Sequence, residues 1–128
     1  MYVQSMEVDS IGHMWIIDTG NTPSVTAVPP GMRRTCPPRI VIIDVASAEI
    51  IKAHTFDPLV ADPSSTFLND IVLDQVRGLA YISVTSGDGG IIVYSKGSNS
   101  GRFYSGTSTK AHPTVTPTPR HHHHACGD

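Results

Sequence analysis

Asn69 and Asp70 sit side by side before an apolar burst, an amide next to a carboxylate. Their oxygens are hard donors of the kind that hold a divalent cation. Read without that chemistry, the same pair fixes a turn at the start of a strand. Glu7 and Asp9 offer two more carboxylates, and regular alternation would place both on one face of a strand. Asp18 ends the run Ile16-Ile17-Asp18-Thr19-Gly20. Two such carboxylates held together share a proton and activate water. One alone closes its strand by side-chain hydrogen bonds to backbone. His121, His122, His123 and His124 are four imidazoles in a row, able to bind Zn²⁺ or Ni²⁺ weakly but without the fixed spacing of a built site. His13 and His54 are isolated and read as strand or surface residues rather than bases.

Other chemistries are missing from the sequence. There is no Gly-x-Ser-x-Gly, P-loop or dinucleotide fingerprint, so no cofactor is expected, and Gly87-Asp88-Gly89-Gly90 reads as a hairpin turn. Cys36 and Cys126 are too few for a disulfide scaffold and lack the paired spacing of a structural zinc site. A net charge of −2 gives no footprint for nucleic acid or an anionic membrane. No apolar run approaches the roughly 20 residues that span a bilayer. The first residues, Met1-Tyr2-Val3-Gln4, carry no secretion signal.

The elements that must position these groups are short. Apolar and β-branched bursts at 14–17, 40–45, 50–56, 71–73, 79–84 and 91–94 predict strands. Turn formers at 9–12, 46–49, 74–78 and 86–90 separate them and predict antiparallel hairpins. No window holds a 3.6-residue period free of Gly or Pro, so helix is at most a minor component. With 39% hydrophobic residues the chain can pack a core. After Phe103-Tyr104 the composition turns to Thr, Ser, Pro and His, which predicts a disordered tail over 106–128 behind a folded region at 1–105.

A repeat emerges when the bursts are aligned by their turns. Val8-Asp9 followed by Gly12-His13-Met14-Trp15-Ile16 matches Leu73-Asp74 followed by Gly78-Leu79-Ala80-Tyr81-Ile82, with one extra residue in the second turn. Each copy continues into a buried-looking strand, 40–44 or 91–95, and then a further short strand. A Pro-rich insertion between Asn21 and Pro38 stretches the spacing to about 65 residues. Repeated four-stranded units that cannot bury their faces alone are the signature of propeller blades. Trp15 and Tyr81 occupy equivalent places, which predicts a shared packing role, and Gly12 and Gly78 are expected to serve turn geometry.

The strings Val3-Gln4-Ser5-Met6-Glu7-Val8-Asp9, Met14-Trp15-Ile16-Ile17-Asp18-Thr19-Gly20, Cys36-Pro37-Pro38-Arg39-Ile40-Val41-Ile42-Ile43-Asp44 and Phe67-Leu68-Asn69-Asp70-Ile71-Val72-Leu73-Asp74 resemble, in order, the motifs of the yellow / major royal jelly protein family. The resemblance covers roughly residues 2–105. It implies an all-β fold: an incomplete β-propeller, about two antiparallel blades of a six-bladed, usually secreted protein. It also implies that Asn69 and Asp70 face the central channel, where lactonase-type propellers hold a cation. Many family members carry a Cys where this chain has Ile11-Gly12, which leaves Cys36 without its expected partner, and tend to an Asp where it has Val84.

Ile16-Ile17-Asp18-Thr19-Gly20 also resembles the active-site loop of aspartic proteases, but Asn21-Thr22-Pro23 follows it where those enzymes have Ala or Ser. The family resemblance implies binding of a small aromatic or biogenic amine ligand, or dopachrome/melanin-type chemistry, in the intact propeller. The alternatives are a metal-dependent lactonase-like hydrolase and an inactive truncated product. Two blades alone are expected to leave faces lined by Trp15, Ile42, Tyr81 and Val93 uncovered, so the isolated chain is expected to self-associate and to bind no amine by itself.

Overall fold

The computed structural model describes residues 2–20, 36–85 and 88–110. Eight strands lie among them: β1 (Val3–Val8), β2 (His13–Asp18), β3 (Arg39–Asp44), β4 (Ile50–Thr55), β5 (Leu68–Asp74), β6 (Leu79–Val84), β7 (Gly90–Ser95) and β8 (Ser100–Tyr104). They form two four-stranded sheets, β1-β2-β3-β4 and β5-β6-β7-β8, antiparallel throughout and in chain order. The expected hairpins are present. A 3₁₀ turn, Thr107–Thr109, follows, held by Thr109 Oγ1 accepting from the Gly106 amide. The Pro-rich insertion at 21–35, the histidine run at 121–124 and Cys126 lie outside the described residues.

The repeat predicted from sequence recurs in several backbone bonds and dihedral angles. Gly12 and Gly78 both take positive φ (85° and 65°), and their carbonyls accept from the amides of Val45 and Lys96, each at 3.0 Å. Ala48 and Asn99 adopt positive φ at matching points of the β3–β4 and β7–β8 turns. The amides of Thr19 and Thr85 bond the carbonyls of Tyr2 and Phe67. A β-bulge interrupts each first strand, between Val3 and Ser5 in β1 and between Leu68 and Asp70 in β5. Each bulge adds a residue that breaks the two-residue period, and the polar side chains of Gln4, Ser5 and Glu7 in β1 and of Asn69 and Asp70 in β5 interrupt the apolar run.

The sheets stack face to face and approach most closely at β1 and β5. The front of the first sheet, Trp15, Ile17, Ile40 and Ile42, packs on the back of the second, Ile71, Ala80, Ile82, Ile92 and Tyr94. Trp15 meets Tyr94 edge-on at 6.2 Å, and Phe56, from the connection between the sheets, meets it at 6.3 Å. Each buried aliphatic side chain contributes roughly 1.5–3 kcal/mol relative to exposure.

This stacking corrects one expectation. Trp15 and Ile42 are buried between the sheets (3% and 0% exposed), whereas Tyr81 and Val93 lie on the front of the second sheet, with Tyr81 38% exposed. Trp15 and Tyr81 are equivalent in position but not in environment. The front of one sheet is covered by the back of the next, and the second sheet's front has no such neighbour among the described residues.

Candidate functional site

Asn69 is the extra residue of the β5 bulge, and Asp70 follows it on the strand nearest the first sheet. Bulges re-aim the side chains beside them. Both residues are exposed. The Ser5 hydroxyl on β1 donates to Asp70 Oδ1 at 2.7 Å, and the same oxygen accepts from the Ile71 amide at 2.9 Å. The Asp70 amide donates to Ser83 Oγ at 3.1 Å. These bonds fix the carboxylate and leave Oδ2 without a hydrogen bond to the described residues. Tyr2 and Phe67, the residues just before β1 and β5, set two aromatic rings 6.5 Å apart at the same end of the strands. This ring pair was not singled out from sequence. The 65-residue offset that aligns Ser5 with Asp70 also aligns Tyr2 with Phe67, and carried the signal.

Glu7 and Asp9 do not join this group. Glu7 Oε2 accepts the Leu73 amide across the sheet interface at 3.0 Å. Asp9 lies at the far end of β1, where Oδ2 accepts the Trp15 indole at 3.0 Å and Oδ1 accepts the amides of Ile11 and His13. Burial pushes the Asp9 carboxyl up, but these hydrogen bonds outweigh it and hold it below its usual value. Lys96 lies 5.5 Å from the Trp15 ring and hydrogen-bonds His13 Nδ1 at 3.0 Å. A cavity of about 140 Å³ at this turn end is lined by Asp9, Trp15, Leu73 and Lys96. No group of three or more His, Cys, Asp or Glu suited to a metal occurs among the described residues.

Asp18 is a fastener. Oδ1 accepts the amides of Tyr2 (2.7 Å) and Gly20 (2.9 Å), and Oδ2 accepts Arg39 Nε at 3.0 Å. Burial raises its carboxyl, yet the two amides and the guanidinium prevail and keep it ionised below the usual range. With both oxygens occupied, it is not poised to share a proton as a protease dyad does. Thr19, fully buried, accepts the Leu68 amide at 3.0 Å and ties β2 to β5.

His54 lies against Phe56 and Tyr94 at 5.2 and 5.4 Å, and burial holds its imidazole below the usual histidine value. It serves the interface between the sheets, in keeping with the strand role expected for it. Cys36 is an exposed free thiol.

No curated protein matches the chain. A family model described as Major royal jelly protein matches residues 1–126, nearly the whole sequence. With the paired four-stranded sheets and their shared turns, that match places the assignment beyond the four sequence motifs: the chain belongs to the major royal jelly protein family.

Proposed function

We propose that the protein is an extracellular binding propeller of the yellow type, taking a small aromatic amine at the inner ends of β1 and β5. The observation that supports this reading is the aromatic pair Tyr2 and Phe67 at the same strand ends as the anchored carboxylate of Asp70. A ring surface suits an aromatic group, and a carboxylate oxygen suits its ammonium. Asn69, beside it, adds an amide for a ring hydroxyl. The family's members are in general secreted, in keeping with an extracellular ligand.

Binding is preferred to dopachrome-type conversion because proton removal and return needs a paired acid and base within reach of the ligand. Asp18, which also lies near this end, is held by Tyr2, Gly20 and Arg39. A lactonase-like hydrolase is not favoured, because Glu7 and Asp9 are engaged elsewhere.

Two sheets supply one part of a channel wall, so the test separates species by size and titrates each fraction with tyramine by calorimetry. Saturable heat is expected from an assembled fraction, with affinity at least tenfold weaker in Asp70→Asn and unchanged in Asp62→Asn. An assembled fraction without saturable heat, or an Asp70→Asn variant that binds as well as the parent, overturns the reading.

A further inference from the structure

The interface between the two sheets has a front and a back, and among the described residues the chain carries a second copy of each outside that interface. Register equivalence identifies them. On the front of the second sheet, Tyr81, Val93, Ile91 and Val72 stand where the first sheet has Trp15, Ile42, Ile40 and Glu7. On the back of the first sheet, Met6, Ile16, Val41 and Ile43 stand where the second has Ile71, Ile82, Ile92 and Tyr94, all buried against the front of the first. These surfaces carry exposed apolar side chains, Met6 at 52%, Val72 at 60% and Ile91 at 40%, while Ile16, Val41, Ile43 and Val93 are half-buried. A shallow cavity of about 260 Å³ on the second front is lined by Asp70, Val72, Tyr81, Ser83 and Ile91. The corresponding strip of the first front is covered by the second sheet.

The polar fastener is duplicated as well. Thr19 Oγ1 accepts the amide that opens β5. Thr85 occupies the Thr19 position in the second sheet, is exposed, and makes the same backbone bond to the residue before the first strand. The amide that corresponds to Leu68 in the first sheet is that of Val3.

We infer that a second copy of this chain docks head to tail, seating the back of its first sheet on the front of the second sheet and repeating the interface already present within one chain. Tyr81 takes the place of Trp15 in that contact, Met6 of the incoming copy takes the place of Ile71, and Thr85 receives the incoming Val3 amide. The contact is heterologous. Each added copy presents the same two faces, so assembly proceeds past a dimer until it closes or extends.

Two single-face variants test this, both at exposed positions where the monomer fold is not disturbed: Tyr81→Glu blocks the front, and Met6→Glu blocks the back. Val72→Lys and Val8→Lys repeat the test on the same faces, and circular dichroism checks that each variant keeps its strands. In sedimentation velocity the parent chain is expected to run above twice the monomer mass. Each variant alone is expected to be monomeric. An equimolar mixture of Tyr81→Glu and Met6→Glu is expected to form a species of twice the monomer mass, because one good front then meets one good back.

A monomeric parent overturns the inference. So does association of either variant alone, which would point to front-to-front or back-to-back pairing, and so does a mixture that stays monomeric. Mass is the readout throughout, so failure here is distinct from failure of amine binding.

Discussion

The hydroxyl of Thr19 at the end of β2 accepts the backbone amide of Leu68 at the start of β5, a 3.0 Å bond between two fully buried residues of different sheets. The bond pins the sheets together at the end where Tyr2, Phe67 and Asp70 gather. Thr19→Val keeps the shape but removes the acceptor, leaving a buried amide unsatisfied at a cost of about 1–3 kcal/mol. Urea unfolding should show that loss, with Thr19→Ser close to the parent. A Thr19→Val midpoint equal to the parent's would mean that the bond contributes nothing.

Asp18 makes stability depend on acid. Its folded carboxyl lies below the ordinary value of 3.8, because the Tyr2 and Gly20 amides and Arg39 outweigh the burial that would raise it. A depressed carboxylate contributes stability that is fully present above the unfolded value and is lost as pH falls through it towards the folded one. Asp18→Asn should lower stability at neutral pH by on the order of 1–3 kcal/mol and flatten its fall below about pH 4. Asp9 is shifted in the same direction, so part of the acid sensitivity remains in the variant. Thermal melts from pH 7 to pH 3 would show an unchanged acid slope in Asp18→Asn if the carboxylate had no such role.

Gly101 on β8 faces the ring of Phe56. A Cβ there would stand 2.8 Å from Cε1 and 3.6 Å from Cγ2 of Ile92. Gly101→Ala should therefore destabilise by about 1–3 kcal/mol through overpacking. Gly97→Ala, whose new atom would have only Ser95 Oγ nearby at 3.9 Å, should stay near the parent. Chemical denaturation of the two variants side by side is the check, and equal midpoints would contradict the packing described.

Strand positions were legible wherever apolar residues cluster between turn formers. The bursts at 14–17, 40–45, 50–56, 79–84 and 91–94 became β2, β3, β4, β6 and β7. β1 was not, because its bulge and its mixed side chains, Gln4, Ser5 and Glu7, hide the alternation. Asn69 and Asp70 were legible as a chemically distinct pair. Ser5 as the anchor of Asp70 and Phe67 as the partner of Tyr2 were not, because the 65-residue repeat marks them as counterparts and only the stacking of the two sheets brings counterparts into contact.

The sequence by itself determined the repeated unit. Gly12 and Gly78 mark positions where φ is positive, and hydrophobic alternation places the hairpins on either side of them. It also determined that Trp15 and Tyr81 are counterparts. Only the tertiary structure decided their environments, 3% against 38% exposed, since burial belongs to whichever sheet covers a face and not to the residue or its place in the strand. The second sheet lies on the front of the first, so Trp15 is core, and Tyr81, at the same position in an outward-facing front, is surface.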